Sequence, residues 1–239
     1  MLSKLVEIDS LGKILFKKNR RSKTISIRVK PFTGAVVSLP FYASYKTAED
    51  FVYSKKEWIK KSLQKIKDVE KERVIFDEKT QFKTRDHILK IQYAETDKIS
   101  SYVSKSAINI KYPNKISVAS DEVQSEIRQG IIKALRKEAK EYLPVRVKLL
   151  ADKFGFKYND IFIKNLISRW GSCSRKNNIN LNLHLMRLPD NLIDYVILHE
   201  LVHTVEKNHG KNFWVKLNSI TGDAKSLSKE VKKYSTVWF

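Results

Sequence analysis

The 239-residue chain carries 47 lysines and arginines against 26 aspartates and glutamates, a formal charge of +21, and is 42% hydrophobic and 10% aromatic. That apolar content can bury a sizeable core and excludes a disordered chain, while seven glycines, five prolines and no internal repeat exclude collagen-like, low-complexity and solenoid classes. A lone Cys173, an N-terminus that alternates charged with apolar residues, and no apolar run near the ~20 residues of a span set the expectation of a cytoplasmic protein with no membrane partner.

Residues 1–120 hold 26 basic and 13 acidic side chains, and residues 121–239 hold 21 and 13. The densest stretch is Lys13–Lys30, which meets no acidic residue and includes Lys17, Lys18, Arg20 and Arg21. Such a patch attracts polyanions, so these four are candidate nucleic-acid contacts. The plainer alternative is a lysine-rich solvated face, since no nucleic-acid motif accompanies the charge.

Alternation over Thr24–Lys30 predicts a half-buried strand, Pro31–Gly34 a turn, and Ala35–Leu39 a second strand, together a hairpin. Helical spacing over Thr47–Ile66 predicts one helix, capped by Thr47 with Asp50, and residues 67–80 read as a charged, solvated connection. Strands are expected near 86–93, 101–112 and 115–119. After Ser120 a helical period runs to Pro144, which must bend or end the helix, and a second piece runs to Phe154 before Gly155. Residues 160–167 and 178–185 read as strands. The expected fold is α+β, with a β-rich N-terminal lobe carrying one amphipathic helix over 1–119 and a mixed sheet plus active-site helix over 120–239.

From Pro189 and Asp190 onward, Leu192, Ile193, Val196, Ile197, Leu201, Val202 and Val205 surround a helix with apolar groups, which predicts burial. Within it stands His199-Glu200-Leu201-Val202-His203. Residues four apart share a helix face about 6 Å apart, so both imidazoles can address one metal ion. Glu200, turned about 100° from His199, can reach water beside that ion without ligating it. A pair of core histidines is the plain alternative, but burying two imidazoles and a carboxylate is costly unless a cation and its water satisfy them. His209, just before Gly210 where the chain turns back, is the preferred third ligand because it approaches from outside the helix and leaves a position open. Glu206 is the rival, though its Cα lies about 10 Å along the axis from that of His199.

The segments Trp170-Gly171-Ser172-Cys173, Asn180-Leu181-Asn182, Asp194-Tyr195-Val196, the His199–His203 run, and Asn208-His209 followed by Phe213-Trp214 resemble the YgjP-like metallopeptidase family, related to SprT-like and minigluzincin-type zincins. The resemblance is strongest over about 140–220. It implies a zincin-like lobe and a zinc peptidase holding one zinc ion on His199, His203 and His209, with Glu200 as catalytic base. The His203 to His209 spacing equals that of metzincins, but Glu206 stands at their glycine position and no methionine turn follows.

Other site residues remain open in the sequence. The strand at 178–185, if an edge, offers its backbone to an extended peptide, with Asn180 and Asn182 on its polar face. Arg169 and Tyr195 are candidates to stabilise an oxyanion, although Tyr195 also suits a core role. His184 suits a surface role better than a ligand role, and Cys173 a structural one better than that of a nucleophile. The leading expectation is therefore a zinc metalloendopeptidase acting on proteins or peptides. A rival is a basic nucleic-acid-binding module with a structural zinc closed by Cys173, His184 or Glu206; family analogy combines the two as a protease acting on DNA-bound proteins.

Overall fold

The first strands arise where charge is densest. β1 (Ser3–Ile8) and β2 (Gly12–Asn19) pair antiparallel, and in β2 Ile14 and Phe16 turn inward while Lys13 and Lys17 face solvent. Neither strand was expected, because lysines interrupt the apolar pattern in sequence although they alternate correctly in space. The predicted hairpin is present as β3 (Ser26–Lys30) antiparallel to β4 (Gly34–Pro40). Its expected turn at Pro31–Gly34 lies mostly outside the described residues, which in this computed structural model are 3–30, 34–71 and 74–236. β4 also pairs parallel with β2, giving the order β1-β2-β4-β3.

The single helix expected over Thr47–Ile66 is two, α1 (Tyr45–Ser54) and α2 (Lys56–Lys71), with Lys55 at the end of α1. Ser44, in extended conformation, caps α1 by accepting the Thr47 N–H at 3.0 Å, so Thr47 lies inside the helix and is not its cap. α2 continues into the stretch expected to be a connection, since lysine and glutamate favour helix. Ile8, Ile14, Phe16, Val37, Leu39, Ala48, Val52 and Ile59 form the core of this unit, which spans Met1–Val74 together with Phe239.

The second unit spans Ile75–Trp238. It begins with β5 (Ile88–Ala94), β6 (Ser100–Val103) and β7 (Ala107–Pro113) in the order β5-β7-β6. The strand expected over 101–112 is thus two, joined by a turn in which Ser104 N–H donates to Ala107 O, and 115–119 forms no strand. The division between units falls at 74/75, whereas the sequence pattern placed it at 119/120. These strands share a core with the next helix: a Cβ on Gly130 would come within 2.8 Å of Ile110 Cδ1.

That helix, α3 (Asp121–Phe154), runs unbroken through Pro144. Losing one backbone bond costs about 3 kcal/mol. Leu135, Ala139 and Leu143 before the proline and Val147, Leu150 and Ala151 after it are all buried, and this shared apolar face offsets the loss. Gly155 ends the helix as expected, with φ 72° and its N–H on Ala151 O. Glu138, buried on α3, accepts from the Asp86 N–H and the Thr84 hydroxyl and lies 2.7 Å from His87 Nδ1, tying the 84–87 loop to the helix.

A third sheet holds β8 (Ile161–Lys164), β9 (Gly171–Cys173) and β10 (Ile179–Asn182) in the order β8-β10-β9. The strand expected through 185 stops at Asn182, where a 3-10 turn (Leu183–Arg187) begins. α4 (Asp190–Val202), α5 (Lys211–Thr221) and α6 (Ala224–Val231) complete the described chain. Three sheets, each mixing parallel with antiparallel pairs, and six helices among the described residues make a mixed α/β protein. No helix among those residues is long and apolar enough to cross a membrane.

Candidate metal centre

α4 is buried around most of its circumference, as its apolar pattern predicts: Leu192, Ile193, Val196, Ile197, Leu198, Leu201 and Val202 are all buried. Its last turn presents His199, and His203 continues that turn through its N–H on His199 O. The helix therefore ends at Val202, several residues before Gly210, where the sequence predicts that the chain turns back. Tight turns lead to His209, immediately ahead of Gly210 at the start of α5.

His209 Nε2 lies 3.0 Å from His199 Nε2 and 3.2 Å from His203 Nε2, and one ligand atom from each of the three residues lies within 4.8 Å of the others. Nitrogens arranged tetrahedrally around an ion at about 2.1 Å stand about 3.4 Å apart, so the observed spacing suits a zinc-sized cation. The tautomer agrees. His203 Nδ1–H donates to Glu206 O at 2.9 Å, which leaves its Nε2 with a lone pair aimed at its neighbours. Lone pairs converging on one point repel unless a cation lies among them. Burial, then the charges of His203 and His209, pushes the His199 imidazole down to about 3, and burial lowers His203, so both are neutral donors near pH 7.

Phe213, fully buried in the first turn of α5, packs against all three rings, with centroids 4.9, 4.5 and 4.6 Å from those of His199, His203 and His209. Sequence reasoning missed this role, because a phenylalanine at helical spacing looks like any other core residue. Glu206, the rival ligand, contributes its backbone carbonyl instead. Among the described residues, Cys173, His184 and Glu206 supply no fourth donor to the cluster.

Glu200 is 6% exposed, and burial pushes its carboxyl up to about 8, against the opposing charge of Arg169 and the Cys173 N–H that bonds it. Its side chain lies on the backbone of β9: a Cβ at position 171 would stand 2.7 Å from Glu200 Oε1 and 2.8 Å from Cγ. Any side chain there would make Glu200 shift. The Trp170–Cys173 segment carries part of the family resemblance, but nothing local in the sequence named Glu200 as the neighbour of Gly171.

Several expected substrate contacts are placed otherwise. β10 lies between β8 and β9, so it has no free edge for a peptide. Asn182 is fully buried; its Nδ2 donates to Leu166 O and Arg169 O, and its Oδ1 accepts from the His184 N–H. It braces the 165–170 loop and cannot face substrate. Asn180 Nδ2 is likewise directed at Ser172 O and Oγ. Tyr195 is buried with its hydroxyl bonded to Ser228 and its ring 6.0 Å from that of His199, consistent with a core role. Arg169 is exposed, and its charge is felt at Glu200. The Cys173 thiol is pushed up chiefly by burial, which disfavours the nucleophilic thiolate. Lys17, Lys18, Arg20 and Arg21 lie in the first unit, around a cavity of about 740 Å³.

His184, expected at the surface, is 5% exposed; Nε2–H donates to Asn165 Oδ1 and Nδ1 has no partner among the described residues. Burial, and secondly the charge of Arg187, lowers it to about 4. The unfolded chain takes this proton near pH 6.5, so between 6.5 and 4 the unfolded state binds more protons and stability falls as pH falls. The contribution is complete above pH 6.5 and amounts to about 3 kcal/mol. His184→Gln should flatten the decline of the urea midpoint between pH 6.5 and 4 relative to the parent; parallel curves would contradict a neutral buried imidazole.

Three imidazoles gathered beside a buried glutamate on a mixed α/β scaffold make a donor set that could hold one metal ion. The chain belongs to the YgjP-like family, whose metallopeptidase-domain model matches residues 23–234. No curated protein matches it. Two solved structures are similar over a smaller part of the chain. The metallopeptidase zymogen of Pyrococcus abyssi abylysin is 21% identical over 38% of this chain and 92% of its own, with a TM-score of 0.34. That of Methanocaldococcus jannaschii jannalysin is 26% identical over 37% and 88%, with a TM-score of 0.32.

Proposed function

We propose that the protein is a zinc-dependent metalloendopeptidase of the zincin type, with His199, His203 and His209 as ligands and Glu200 as general base. The observation that carries this reading is the convergence of three Nε2 atoms in which His203 is oriented by Glu206 O, with no fourth protein donor among the described residues. A closed structural zinc needs four protein ligands, so the open set favours an enzyme over the binding-module reading. When bound, zinc supplies a Lewis acid that acidifies a water and polarises the scissile carbonyl.

The chain's own groups do the rest. Glu200, held by the Cys173 N–H against Gly171, takes the proton of the attacking water on its carboxylate and returns it to the departing amine nitrogen. The Arg169 guanidinium favours the ionised form of that carboxylate. Phe213 and Glu206 O restrain the imidazoles, so little reorganisation remains on metal uptake. The substrate backbone lies along β9, the edge strand that borders Glu200.

Elemental analysis paired with casein digestion tests this function. One zinc per chain is expected, with cleavage abolished by chelation and restored by zinc; metal without hydrolysis would leave the binding module as the better account. Gly171→Ala probes the positioning of the base. The added methyl displaces Glu200, and kcat should fall about 100-fold at unchanged zinc content, as expected for a misplacement of about 1 Å. Parental kcat would show that the Glu200 position is not critical.

A further inference from the structure

The first unit carries 18 lysines and arginines against eight acidic residues over 1–74, and its most concentrated charge surrounds a cavity. β2 and β4 run parallel with Asn19 opposite Pro40, so the segments leaving their C-terminal ends, Asn19–Arg21 and Phe41–Tyr42, emerge side by side. The crevice beyond the carboxyl ends of parallel strands is a recurrent ligand position. Here it has a volume of about 740 Å³ and is lined by Lys17, Lys18, Asn19, Arg20, Arg21 and Phe41.

The aromatic groups are held in place. Lys18 Nζ donates to Phe41 O at 2.9 Å and lies 5.6 Å from the Phe41 ring centroid, while the Arg20 guanidinium lies 5.4 Å from the same ring. Tyr42 is 82% exposed, yet its hydroxyl donates to Lys23 O at 3.1 Å, which restrains a ring otherwise open to solvent. Among the described residues, no carboxylate pairs with Lys17, Arg20 or Arg21, so none of those residues neutralises their charge. Cations beside restrained, exposed rings are complementary to a strand with phosphates along one side and unstacked bases along the other.

We propose that this cleft binds single-stranded nucleic acid, with phosphates on Lys17, Arg20 and Arg21, bases stacked on Phe41 and Tyr42, and Lys18 positioning Phe41. A duplex conceals the base faces that the two rings would engage, which favours the single strand.

Fluorescence anisotropy of the full chain with labelled oligodeoxythymidine and oligouridine of about 16 nucleotides tests this, alongside a duplex of equal length and anionic vesicles. Binding should be present at about 50 mM salt and weaken linearly in log–log form, and the two oligomers report whether the sugar matters. Arg20→Ala with Arg21→Ala should reduce the salt slope by about 1.4, and Lys17→Ala alone by about 0.7. Tyr42→Ala should weaken binding about tenfold at an unchanged slope. Lys105→Ala with Lys111→Ala, an equal loss of charge in the second unit, should change affinity less than about twofold. The proposal is overturned if neither oligomer binds, if the Lys105/Lys111 pair loses as much as the Arg20/Arg21 pair, or if duplex or vesicles bind as tightly as the single strands. Far-ultraviolet dichroism of each variant matched to the parent confirms folding, and binding is read without hydrolysis, so its failure is separate from failure of the peptidase reading.

Discussion

Glu200→Gln is expected to lower kcat for peptide hydrolysis about 1,000-fold while one zinc ion per chain is retained. Glutamine keeps the shape that fits against Gly171 and Cys173, so the helix and the three imidazoles are not disturbed. It lacks the basic oxygen that the proposed mechanism needs to accept a proton from water. Because burial pushes the Glu200 carboxyl up to about 8, folding must either desolvate its charge or protonate it, and the neutral amide removes that cost, so the thermal midpoint should not fall. Measuring zinc content, unfolding midpoint and kcat on the same preparation separates the base from the scaffold. Cleavage at the parental rate under matched zinc loading would remove Glu200 from the mechanism.

His209→Ala is expected to reduce zinc affinity by more than about 100-fold, since loss of a ligand should exceed the 10- to 100-fold cost of losing an orienting partner. The two remaining imidazoles, His199 and His203, come from one helical turn and hold an ion from one side only. His209 supplies the donor from the loop before α5, with Phe213 packed against it. Hydrolysis at submicromolar free zinc should then be lost. Glu206→Gln provides the contrast, because its backbone carbonyl holds His203 and its side chain is not in the cluster, so zinc content should be unchanged. The reverse pattern, zinc kept by His209→Ala and lost by Glu206→Gln, would make the carboxylate the third ligand.

The parts of the fold that were readable are those whose signal is local. The all-round apolar pattern of α4 predicts a buried helix, and an i,i+4 histidine pair on it must share a face whatever surrounds it. His209 is recognisable because Gly210 marks a reversal that carries it back toward the helix end. The β3–β4 hairpin and the Gly155 stop follow from period-two alternation and from an αL residue. Local signals also misled. Pro144 forecasts a break, yet buried residues on both sides carry α3 through it, and a single apolar period at 47–66 hides the junction at Lys55.

What the residue order determined by itself is the chemistry on offer: a basic chain with enough apolar surface to fold, a buried helix bearing two imidazoles and a carboxylate, and a third imidazole at the next turn. Tertiary structure alone decided which groups meet. It set β10 between two neighbours and thereby turned Asn182 inward, placed Gly171 against Glu200, put Phe213 against three rings, and aligned β2 with β4 so that Arg20 and Phe41 share a cleft. The physical reason is that periodicity reports only whether a side chain is buried. The partner is chosen by pairings between distant segments, whose closure entropy and packing no local window contains, and every residue carries a carbonyl like that of Glu206.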